Sequence, residues 1–134
     1  MAPVVGPPGE ASLYGFGYTA PGGPPTPTFV VAGSGETLVR SGESTPDAMR
    51  EKATYVLGVM RDRLHGLGGD WTDVTAINVY TAHPIEPFLA DTILRGVGPA
   101  VIHGVTWHLS RPPIIDIEFE MDMRGVATRL WLNS

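Results

Sequence analysis

Cysteine is absent from the 134 residues, which excludes disulfides, thiol nucleophiles and thiolate metal sites. No apolar run approaches the ~20 residues a membrane-spanning helix needs. The opening "MAPVVGPPGE" lacks the basic stretch and apolar core of a secretory leader. Basic residues are also scarce: nine Lys and Arg stand against fourteen Asp and Glu, a formal net charge of −5. Their densest group, Arg61-Asp62-Arg63, has an aspartate inside it. Nucleic-acid binding leans on a dense basic footprint, so neither nucleic acid nor a membrane is an expected partner, and a cytoplasmic location is expected. The length suits a single domain with one core.

Prolines and glycines crowd residues 1–28 around the aromatic island "LYGFGY". Proline lacks a donor and fixes φ, so "TAPGGPPTPT" cannot be a central strand or a helix; a long loop after a short initial strand is expected. "TFVVA" (28–32) and "ETLVR" (36–40) read as a hairpin across Gly33-Ser34-Gly35. No P-loop lysine follows these glycines, which fits a turn better than a phosphate cradle. From Thr45 the period changes. Thr45 can cap a helix, Pro46 suits its first position, and Met49, Ala53, Val56, Leu57, Met60 and Leu64 recur at helical spacing up to Gly66. "DVTAINVYT" (73–81) reads as a strand. Ile85, Phe88, Leu89 and Ile93 then mark a second helix from about Glu86 to Gly96. Two strands follow, around 100–109 and 114–123, separated by Arg111-Pro112-Pro113. The order β-β-β-α-β-α-β-β predicts an α/β (α+β) domain over 1–134, with two helices on one face of a mixed sheet.

The last two strands carry the candidate chemistry. In "IIDIEFEMDM", Ile115, Ile117, Phe119, Met121 and Met123 alternate with Asp116, Glu118, Glu120 and Asp122. The apolar set must face the helices, leaving the carboxylates on the other side, either solvated or covered by a second subunit and available for acid–base work. In the strand before, His103, Val105, Trp107 and Leu109 share one parity and His108 the other. Two histidines on opposite faces do not form a metal site, and neither a metal nor a cofactor is expected. By parity one of the two histidines is a catalytic candidate, but not both together.

The helix "MREKATYVLGVMRDRLHGLGGDWTDV", the strand "VTAINVYTAHPIEPF", the strand end "FVVAGSG" and the terminal "IDIEFEMDMRGV" together resemble the RidA/YjgF family of imine/enamine deaminases. The resemblance implies a RidA/chorismate-mutase-like fold and a homotrimer with clefts between subunits. It also implies hydrolysis of an imine, an enamine or a related carbonyl-type small molecule. By that resemblance His103 stands where the family keeps a substrate-anchoring arginine, which makes His103 the expected functional histidine and His108 a structural one. Asp116 stands at its water-positioning glutamate, Gly33 at a common serine, and Tyr18 or Tyr14 at the N-terminal tyrosine. Asp116 or Glu118 would partner His103, with Trp107 walling the cleft. Histidine lacks the permanent bidentate charge of arginine, so Arg111 or Arg95 would have to supply the anion contact. The alternative is a non-catalytic trimer that binds a metabolite or regulates a partner. Ribonuclease activity, also attached to the family, fits poorly with an acidic chain.

Overall fold

The longest element obeys the sequence pattern. In the computed structural model, which describes residues 2–11, 13, 15–23, 26, 28–33 and 39–131, helix α1 runs Pro46–Gly66. Thr45 keeps extended dihedrals, and its hydroxyl accepts from the Ala48 amide at 3.2 Å. Pro46 follows in the first turn, where a missing N–H leaves no bond unmade. The stripe from Met49 to Leu64 is buried as its spacing requires. Lys52 shares that buried face, and its ammonium donates to the Val39 carbonyl at 2.8 Å.

The strands are β1 (Ala2–Pro3), β2 (Phe29–Gly33), β3 (Ala76–Thr81), β4 (Thr106–Arg111) and β5 (Glu120–Gly125). They form one sheet in the order β1-β4-β3-β5-β2. Only β3 and β4 are parallel; the other pairs are antiparallel. A parallel pair needs a long crossover, and residues 82–105 provide it. Register divides the sheet into two unlike faces. Val31, Ile77, Val79, Met121 and Met123 enter the core under α1 together with Phe88 and Phe119. Asn78, Tyr80, His108, Glu120, Asp122 and Arg124 have the opposite parity. The result is a mixed α/β fold.

Three expectations are corrected, and a fourth is not reached. The hairpin after β2 falls largely on residues 34–38, outside the described residues; Val39 and Arg40 form a bend, and β2 pairs with β5. The second helix is a six-residue π-helix, Leu89–Leu94, extended by a short turn. Pro84 and Pro87 precede it, and Phe88, buried and without a side-chain cap, starts it. The strand placed at 100–109 begins only at Thr106, because Gly98–His103 coil as a 3-10 helix that ends on Gly104 at φ 70°. The strand placed at 114–123 begins only at Glu120. A turn joins the Ile117 amide to the Ile114 carbonyl, with Asp116 at φ 70°. The alternation therefore holds from Ile117 onward, and Ile115 is 86% exposed rather than in the core.

Phe119 is fully buried and meets Phe88 edge-on at 6.3 Å between centroids. Phe119→Ala should cost about 3–5 kcal/mol of stability, and Thr45→Ala, which removes only the cap, about 1 kcal/mol. Urea denaturation checks both. Equal losses would mean the core is not centred on this aromatic pair.

Candidate active site

Two polar groupings occupy the non-helical side and one end of the sheet. The first lies where β3 and β4 finish. Thr81 ends β3, and its hydroxyl donates to the Glu118 carbonyl at 2.7 Å while accepting from the His83 amide at 3.1 Å. This clamp brings the His83 ring to Glu118, with Nε2 and Oε2 2.7 Å apart. Both side chains are about one-quarter exposed. An ionised carboxylate only accepts, so Nε2 carries the proton and Nδ1 is the basic nitrogen of the neutral ring. A half-buried imidazole oriented by a carboxylate is the arrangement general acid–base chemistry requires. It also stands at the carboxyl ends of a parallel strand pair, where α/β sheets commonly hold ligands.

The second grouping is deeper. The Asp122 carboxylate, 9% exposed, accepts from Asn78 Nδ2 at 2.7 Å and from the Tyr80 hydroxyl at 2.6 Å. The Asn78 amide oxygen therefore faces His108 and takes the Nε2 proton at 3.1 Å. The His108 ring stacks on Tyr80 with centroids 4.7 Å apart. Arg124 adds a cation beside Asp122, with Nε 3.4 Å from Oδ1, yet that Nε is buried and makes no hydrogen bond among the described residues. Burial pushes the His108 imidazole below the ordinary histidine value. Asp122 pulls it up, and Arg129 and Arg124 push it further down.

The sequence-expected site residues are dispersed. His103 ends the 3-10 helix, is exposed, and precedes β4. Thr106 pairs with Asn78 at one end of the parallel pair, and Glu118 sits by Thr81 at the other. Within one chain, His103 is therefore separated from Glu118 by the length of β4. Asp116 is exposed in its turn. Glu118 does have an imidazole partner, but it is His83. Arg111 is the exposed last residue of β4, at the same sheet end as His83. Trp107 faces the helix layer, packs on the core and donates Nε1 to the Thr81 carbonyl at 3.1 Å. Gly33 admits Arg63, which donates to the Ala32 carbonyl at 2.6 Å; a Cβ at Gly33 would stand 1.9 Å from that guanidinium. Tyr18 is 77% exposed, its ring 6.1 Å from that of Phe16, and Tyr14 lies outside the described residues. His83 was missed because parity along strands says nothing of a residue beyond a strand end. Its sequence signal is the His-Pro step closing an apolar strand, since the residue before proline favours an extended exit.

The lowered His108 value has a thermodynamic consequence. Between that folded value and the unfolded ~6.5, the native state binds fewer protons than the unfolded chain. The contribution of this group is therefore undiminished above pH ~6.5 and erodes stability as pH falls through the window. His108→Gln should flatten the acid-side slope of the urea midpoint between about pH 7 and 5; an unchanged slope would contradict the burial argument.

Similar proteins bear on this geometry. Residues 1–130 match the family model described as 2-aminomuconate deaminase CnbZ. The chain is 33% identical, over 143 residues, to a 2-amino-5-chloromuconate deaminase of Comamonas testosteroni, covering 95% of this chain and 55% of the relative. It thus spans about half the length of that curated relative. No solved structure matches significantly. Among the described residues, no three His, Asp or Glu side chains group to hold a metal ion, and no helix is long and apolar enough to cross a membrane. With nearly its whole length matched, the chain belongs to the 2-aminomuconate deaminase CnbZ family.

Proposed function

We propose that this chain is a deaminase of a 2-aminomuconate-type acid, an unsaturated dicarboxylate bearing an enamine nitrogen. The family match over residues 1–130 supports the reaction class, and the observation that carries the site is the 2.7 Å His83–Glu118 pair. Hydrolytic deamination needs one group that gives and takes protons repeatedly. Imidazolium at His83 protonates the enamine carbon, and the nitrogen lone pair forms an iminium. The neutral ring then takes a proton from water as its oxygen bonds to the iminium carbon. The same proton passes to the amino nitrogen. The ring finally accepts the hydroxyl proton as C=O forms and ammonia leaves, which restores the imidazolium. Glu118 fixes the ring orientation and offsets its positive charge throughout. Arg111, at the same sheet end, binds a substrate carboxylate.

The resemblance to RidA/YjgF proteins supports a homotrimer with clefts between subunits. In such an assembly the dyad, about one-quarter exposed, lies at a sheet end that a second subunit would cover, and His103 enters the cleft only across that boundary. A cytoplasmic setting fits a small-molecule enzyme of this kind.

The test is ammonia release from 2-aminomuconate. His83→Ala should lose ~10²–10⁴-fold in rate, while His103→Ala stays within a few-fold of the parent. The reverse ranking would move the chemistry to the other end of β4.

A further inference from the structure

A groove of about 450 Å³ runs along the helix layer, between α1 and residues 91–96. That size admits a small molecule. On α1, Thr54, Gly58 and Arg61 fall on one stripe at helical spacing and form one wall; Asp91, Thr92 and Arg95 form the other. The walls meet closely below, where a Cβ on Gly96 would come within 2.7 Å of Leu57 Cδ1. The second wall is built on the π-helix Leu89–Leu94, a wide coil that recurs at functional sites.

The charges here are unevenly satisfied. Asp91 is engaged by Arg50, which also reaches the Thr92 hydroxyl at 3.3 Å and the Pro87 carbonyl at 2.8 Å. The Arg50 hydrogen bond holds the Asp91 carboxyl below its usual range, so it stays ionised and its charge is matched. Among the described residues Arg61 meets only its neighbour Asp62, at 3.2 Å with both side chains more than half exposed, a pairing that solvent screens heavily. Arg95 has no hydrogen-bond or ion-pair partner among the described residues. In a chain of net charge −5, two guanidiniums on opposite walls of one groove are a local exception, and each is a bidentate donor for charged oxygens.

We propose that this groove binds a small anion with two or more charged oxygens, held between Arg61 and Arg95; the Thr54 and Thr92 hydroxyls, which already donate to the Arg50 carbonyl at 2.8 Å and to Asp91 Oδ1 at 3.1 Å, wall the site without holding the anion. A dicarboxylate and inorganic phosphate both present this chemistry. The groove lies in the helix layer, away from His83 and Glu118 beyond the ends of β3 and β5, so it is a second site and does not rest on the deaminase reading.

Amide NMR of the full chain, titrated separately with sodium succinate and sodium phosphate against sodium chloride at matched ionic strength, tests it. Saturable shifts at Gly58, Thr92 and Gly96 are expected. Arg61→Gln and Arg95→Gln should each weaken binding at least about tenfold, the scale of one lost charge-assisted hydrogen bond. Preference for succinate or for phosphate then names the source of the ligand. Absent shifts, shifts equally produced by chloride, or binding unchanged in either variant would overturn the proposal.

Discussion

A carboxylate buried in the middle of a sheet has to be compensated, and the rest of this fold is arranged around that requirement. Asp122 receives the Asn78 amide and the Tyr80 hydroxyl across the β3–β5 pairing. Asn78 in turn holds His108 across the β3–β4 pairing. Three neighbouring strands are thereby tied through one side-chain chain. A slip of one residue in β5 would drive Asp122 into the core and turn Met121 and Met123 onto the polar face. The cost of an unpaired buried charge makes that slip prohibitive, so the network fixes register as well as being fixed by it.

Once the register is fixed, the geometry of the His83–Glu118 end of the sheet follows. β5 begins two residues after Glu118, and β3 ends two residues before His83. The Thr81 hydroxyl bridges both backbones. The dyad is thus set by strand ends on a rigid scaffold. Side chains held in this way keep their geometry through a proton-transfer cycle at little reorganisation cost. The buried array and the more accessible dyad differ in kind: one specifies the sheet, the other presents a carboxylate-oriented imidazole at its end.

Much of the architecture was legible in the sequence. The cap at Thr45, the apolar stripe from Met49 to Leu64 and the alternation from Ile117 to Met123 each follow from local rules. What failed were the strand starts. Extended pattern through His103 and through Ile115 is overridden by backbone turns, at Gly98 and Gly104 with positive φ and at Asp116, a non-glycine residue at φ 70°. Periodicity does not register such turns, so a parity argument carried across them assigned His103 to a strand face it does not share. Glu118 was recognised as a candidate because it lies near true strand. Its partner was not, because His83 and Glu118 are 35 residues apart and meet only through β3–β5 pairing.

The central claim is that Glu118 acts through His83. A double-mutant cycle on kcat/KM for 2-aminomuconate, using His83→Ala, Glu118→Gln and both together, measures that coupling directly. The account predicts that the double variant loses about as much as His83→Ala alone, because orienting an absent ring has no effect. Losses that simply add would contradict it and give Glu118 a role of its own.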